Sequence, residues 1–145
     1  MNIEIVVEPL TLVLFGVSGR VEGKNYGGTG QRLMDVLWKE IGAKGLKHKG
    51  INHWVYEDGE MLFTGVELEG PVGSECELVR KQVIVPQYAY GKHIGSISEL
   101  GTVYEGIHEA LRSKELQPCY PSIEIYGHWT EDESKMETEI IVAIE

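Results

Sequence analysis

Glu124 sits in the stretch YPSIEIYGHW (Tyr120 to Trp129), a carboxylate between two isoleucines with Tyr126, His128 and Trp129 close behind. Strand side chains alternate with period two, so Glu124, Tyr126 and His128 share one face, and Ile123 and Ile125 take the other. On a solvated strand such a carboxylate is only the polar half of the alternation. Lining an apolar cavity, it is the charge that selects the ligand. An isolated buried anion is costly, and an organic cation offsets that cost, with about 0.5–2 kcal/mol from each cation–π contact. The pattern predicts a cavity on the Glu124 face and helix packing on the Ile face.

Other residues are candidates for the same wall. Tyr88 and Tyr90 share a face in VPQYAYGKHIG, either as cavity rings or as sheet packing. Trp54, in GINHWVYEDGE, aligns with Tyr126 at an offset of about 72 residues and is a candidate opposing wall. Glu67 in TGVELEG is a second carboxylate, Trp129 a lid or surface cover, and His93 in GKHIGS either a ligand contact or a cap on backbone groups. No catalytic residue stands out. The histidines (48, 53, 93, 108 and 128) form no HxH or HExxH grouping, so no metal is expected. Cys76 and Cys119 belong to no CxxC. GKNYGGTG lacks both the GxGxxG spacing and a Gly-Lys-Ser/Thr ending, so it reads as a flexible connection and no nucleotide cofactor is expected.

The elements that must position these residues follow from periodicity. Ile3 to Val7 and Leu10 to Arg20 read as one first strand broken near Pro9. The glycine-rich loop leads to a helix near 30–43, capped by Gly28 or Thr29, with Leu33, Val36, Leu37 and Ile41 at helical spacing and Gly42 or Gly45 at its end. A hairpin turns at Asp58-Gly59. Cys76 to Lys92 holds the next strand, Ser98 caps a second helix near 98–113, and SIEIYGHW and METEIIVAIE are the last strands. Strand, helix, strand, strand is thus stated twice, in halves of about 1–75 and 76–145. Two such units related by a pseudo-twofold axis predict one α+β domain over 1–145, an antiparallel curved sheet with two helices and a central ligand groove.

Composition bounds the partners. The chain has 145 residues, 42% hydrophobic and 25% charged, which fits one domain with a real core. Acids number 23 against 13 Lys plus Arg, a formal charge of -10, which argues against direct nucleic acid binding. No apolar run is long enough for a membrane span, and the N-terminus carries acids and no basic start, so a cytoplasmic location is expected.

VPQYAYGKHIGSISELGTVYEGIHEAL, followed by YPSIEIYGHW and METEIIVAIE, resembles the GyrI-like small-molecule-binding domain, the effector-binding part of Rob- and BmrR-type transcription regulators. The resemblance implies a central cavity for bulky, lipophilic, cationic ligands, with the acid of the IE-x-Y strand, here Glu124, at its bottom and aromatic residues around it. It implies a free-standing module without the helix-turn-helix domain of the regulators, acting by sequestration or as a sensor, alone, as a homodimer or with a separate regulator partner. Some free-standing relatives look like hydrolases that open the cyclopropane ring of DNA-alkylating natural products. That alternative makes Glu124, with Glu67 beside it, the general base and Tyr90 a hydrogen-bond donor.

Overall fold

The computed structural model describes residues 2–70, 72–73, 76–128 and 130–145. Its strands are β1 (Ile3–Val6), β2 (Leu10–Arg20), β3 (Asn52–Glu57), β4 (Met61–Val66), β5 (Val79–Val85), β6 (Tyr88–Ile94), β7 (Pro118–Tyr126) and β8 (Glu137–Ile144). The helices are α1 (Tyr26–Lys44) and α2 (Leu100–Ser113). The strands form one sheet in the order β1-β6-β8-β7-β3-β4-β2-β5, and every neighbouring pair runs antiparallel.

The order reads as two halves meeting at the β3–β7 seam. On one side stand β3, β4 and β2 with α1, on the other β7, β8 and β6 with α2. The strand preceding each unit crosses to the other half: β1 pairs with β6, and β5 with β2. Ile3–Val6 and Leu10–Arg20 are therefore two strands in different halves rather than one strand broken at Pro9. Pro86 likewise divides the expected Cys76–Lys92 strand into β5 and β6, since proline gives the ladder no N–H.

Helix α1 begins at Tyr26, with Asn25 as its cap accepting from the Gly28 N–H at 3.2 Å. From Tyr26 on, the glycine-rich stretch is thus the first turn of a helix and not a flexible connection; Gly23, Lys24 and Asn25 precede it. Gly30 explains part of that composition: a Cβ there would collide with the far edge of the Trp54 ring, so the helix lies directly on the indole. Gly45 closes α1 in the left-handed region (φ 60°), its N–H returning to Ile41 and Gly42. Before α2, the cap is Ser96 and not Ser98; Ser96 Oγ accepts from the Ser98 N–H at the head of a short 3-10 turn.

Both helices pack on the same face of the sheet. Leu33, Leu37 and Ile41 of α1 meet Leu62 and Val66, and Leu100, Val103, Ile107 and Leu111 of α2 meet Ala89, Ile140 and Val142. Fully burying such a side chain contributes about 1.5–3 kcal/mol. The opposite face carries a core drawn from both halves, including Leu14, Val55, Phe63, Val85, Ile123 and Ile141. There the sheet curls on itself. Lys81 of β5 reaches Glu57 of β3 at 2.6 Å although β4 and β2 lie between them in sheet order.

Candidate ligand site at the strand seam

Glu124 and Trp54 are direct partners across the β3–β7 seam and so point to one face, the helix face. The Ile123 and Ile125 face meets the curled sheet instead. This reverses the expected placement: cavity and helices share one side. The reason is that the two helices straddle the seam without covering it, leaving a cleft above β3 and β7.

Glu124 is 4% exposed, and among the described residues no Lys or Arg bridges to it. Three phenols hold it. Tyr56 donates to Oε1 at 2.9 Å, Tyr104 donates to Oε2 at 2.6 Å, and Tyr126 donates to Oε1. They arrive from β3, α2 and β7, so both halves of the molecule converge on one carboxylate. Burial first, and then the adjacent carboxylate, push all three phenols well above their ordinary value, which keeps them protonated as donors. A carboxylate has about four lone-pair positions, and the tyrosines occupy three.

Above this cluster lies a cleft of about 270 Å³ walled by Tyr26, Tyr56, Tyr104 and Tyr120, with Ser122, Glu57 and Glu124 as its polar groups. The Tyr26 and Tyr56 rings are 5.5 Å apart and tilted. Trp54 meets the Tyr126 ring edge-on at 5.6 Å, beside the carboxylate. Glu57 is already paired with Lys81, so Glu124, beneath aromatic faces, is the carboxylate that suits an organic cation.

The sequence-derived candidates divide. Glu124, Tyr126 and Trp54 come together at the seam. Tyr88 and Tyr90 do not: β6 turns Ala89 toward the helices, so both tyrosines pack on the opposite core. Tyr90 there donates to Glu139 at 2.8 Å, and burial with that carboxylate pushes its phenol up to about 12. Glu67 lies on the opposite face too, half-exposed, 3.4 Å from Lys49 and 3.9 Å from His53. His93 is buried on the flank of α2 and caps backbone, its Nε2 2.9 Å from the Ser96 carbonyl. Trp129 falls outside the described residues. Sequence reasoning missed Tyr56 and Tyr104, the two donors that arrive from outside β7, along with Tyr26 and Tyr120. Tyr56 stands two residues from Trp54 and must share its face. Tyr104 lies in the apolar stripe of α2, where a phenol needs a hydroxyl partner.

No protein-family model matches the sequence, and no curated protein matches it. Solved structures do match in shape. The C-terminal domain of EcmrR superposes with a TM-score of 0.75 over all of this chain and 99% of that one, at 16% identity. The chain shares the fold of that domain. SAV2435 bound to tetraphenylphosphonium shares it (TM-score 0.59, 16% identity, 100% of this chain and 94% of that one). So does a hydrolase from Listeria innocua (TM-score 0.57, 16% identity, 99% and 92%). Within this fold, the seam cleft is where the two pseudo-equivalent halves face each other. Among the described residues, no group of three or more His, Cys, Asp or Glu is placed to hold a metal ion, and no helix is long and apolar enough to cross a membrane.

Proposed function

We propose that this chain is a binding module for hydrophobic organic cations, with the seam cleft as the binding site and Glu124 as its charge-selecting residue. The observation that carries the reading is the buried carboxylate with three tyrosine donors and, among the described residues, no cationic side-chain partner. Hydroxyl donors fix its position but bring no positive charge of their own, and aromatic walls stand above it. An organic cation supplies the missing charge and stacks on Tyr26, Tyr56 and Tyr104. The tetraphenylphosphonium bound to SAV2435, a protein of the same fold, is a ligand of this chemical class. The output is sequestration or sensing, through a homodimer or a separate regulator partner.

Hydrolysis with Glu124 as general base is the competing reading. It needs a free lone pair on Glu124 aimed at a water, and the phenols take most of them. Binding is therefore the better-supported function.

The test uses two ions of one shape and opposite charge, tetraphenylphosphonium and tetraphenylborate, titrated calorimetrically into the protein. The expected result is binding of the cation in strong preference to the anion. Changing Glu124→Gln should reduce cation binding by about 1–3 kcal/mol, the scale of a charge-assisted contact. Equal binding of both ions by the unaltered protein would remove Glu124 from ligand selection.

A further inference from the structure

A second cavity, of about 390 Å³, lies between the start of α1 and the turn before α2. It shares no lining residue with the Glu124 cleft. Trp54 and Tyr126 stand between the two, packed edge-on at 5.6 Å, with the Tyr126 hydroxyl on Glu124. The two cavities are therefore separate. Sites for small molecules enclose about 300–1,000 Å³, and the second cavity lies within that range.

Its lining has a different chemistry from that of the Glu124 cleft. Met34, Trp54, Ile97, Tyr126 and Met136 make apolar walls, and no charged side chain lines it among the described residues. An ion there would lose its hydration without gaining a counter-charge. Two rings and two thioethers suit a flat aromatic molecule, because thioether sulfur makes favourable contacts with aromatic rings. The polar groups of the lining are oriented from outside it. Trp38 Nε1 donates to Asn52 Oδ1 at 2.8 Å. An indole N–H can only donate, so this bond decides which way the amide faces and leaves Asn52 Nδ2 as a donor for a ligand. Gln31, at the exposed rim, donates to Asp35 at 3.1 Å. Trp54, 8% exposed, adds a second donor to the wall: its indole N–H has no hydrogen-bond partner among the described residues. Donors without charge select a neutral acceptor.

We propose that this cavity is a second binding site, separate from the Glu124 cleft, for an uncharged flat aromatic molecule that carries a carbonyl oxygen. The aromatic body lies between Met34, Met136 and the Trp54–Tyr126 pair, and the carbonyl accepts from Asn52 Nδ2. The inference does not rest on Glu124 or on cation binding.

The probe is 2-acetylnaphthalene, followed through the methyl signals of Met34 and Met136 in protein labelled with methyl-13C methionine. Two analogues bracket it. 2-Ethylnaphthalene keeps the shape without the carbonyl, and 2-naphthoate keeps the shape and adds a charge. The ketone is expected to move both methyl signals saturably. The ethyl compound should bind about three- to tenfold more weakly, the scale of one hydrogen bond, and the naphthoate about tenfold more weakly or worse. Asn52→Asp keeps the acceptor for Trp38 and turns the donor into a carboxylate oxygen, so it should abolish the advantage of the ketone over the ethyl compound. The comparison of the three probes on the unaltered protein needs no variant and stands even if Asn52→Asp folds poorly. Saturating tetraphenylphosphonium should leave the ketone's affinity within about twofold. The second site is overturned if neither methyl responds, if the ethyl compound or the naphthoate binds as tightly as the ketone, or if tetraphenylphosphonium displaces the ketone competitively.

Discussion

Trp54 lies directly opposite Glu124 at the β3–β7 seam, one residue from each half of the molecule, and α1 rests on the far edge of its indole ring. Site and fold are therefore coupled. The carboxylate is buried because the halves close around the seam, and the distance of α1 from the sheet is set by an aromatic ring beside that carboxylate.

The first consequence concerns the tyrosine donors. Tyr104→Phe keeps the ring and removes the 2.6 Å bond from α2 to Glu124. A hydrogen bond to a charged group contributes about 1.5–3 kcal/mol, so the variant should lower unfolding stability by about that amount in urea titration. In a Glu124→Gln background the same change should cost less, because the acceptor no longer carries charge. Additive losses would mean that Tyr104 and Glu124 do not act on each other.

Gly30 gives a second test, of the helix seat. In an open helix position, replacing glycine by alanine stabilises by about 0.4–1 kcal/mol. Gly42→Ala should do so, since nothing lies near its would-be Cβ. Gly30→Ala should destabilise by about 1–3 kcal/mol, as overpacking does, because its Cβ meets the Trp54 ring. Thermal melts of the two variants should move in opposite directions.

His53 makes stability depend on pH. Burial lowers its pKa below the ordinary 6.5, outweighing the opposing pull of Glu67. The folded state thus keeps His53 neutral where the unfolded chain takes up a proton. Stability from this group is present above about pH 6.5 and is lost as pH falls below it toward the folded value. His53→Gln should flatten that part of the profile. Denaturant midpoints across this range, compared between the two proteins, measure the difference. Parallel profiles would show that His53 is not the responsible group.

Local pattern carried much of this architecture. The Asp58-Gly59 hairpin, the doubled strand-helix-strand-strand order and, except for Val36 of the expected α1 stripe, which is exposed, the apolar stripes of both helices are present. So is the shared face of Glu124 and Tyr126, because period-two alternation needs no tertiary information. What failed depends on partners distant in sequence. Whether Ile3–Val6 continues into β2 is decided by β6, some eighty residues away, and glycine at position 30 is explained only by Trp54 beneath it. Alternation puts Tyr88 and Tyr90 on one face and leaves open cavity wall or sheet packing; the pairing of β6 with β8 decides for packing. The three phenols on Glu124 come from three elements, a convergence no single stretch of sequence displays.

The last prediction separates binder from hydrolase. A general base must accept a proton from a water placed beside the electrophile. Glu124 instead accepts from Tyr56, Tyr104 and Tyr126, and no described histidine, cysteine or lysine is bonded to it as a relay. Incubation of the protein with an excess of a cyclopropane-bearing alkylator should therefore give no more ring-opened product by mass than there is protein. Removing one donor, with Tyr56→Phe, frees a lone pair on the same oxygen without removing the charge. If obstruction by the phenols is what prevents base chemistry, that variant is the one in which slow turnover is expected to appear. Multiple turnovers by the unaltered protein that disappear in Glu124→Gln would instead make Glu124 a working base and its tyrosines part of a hydrolytic site.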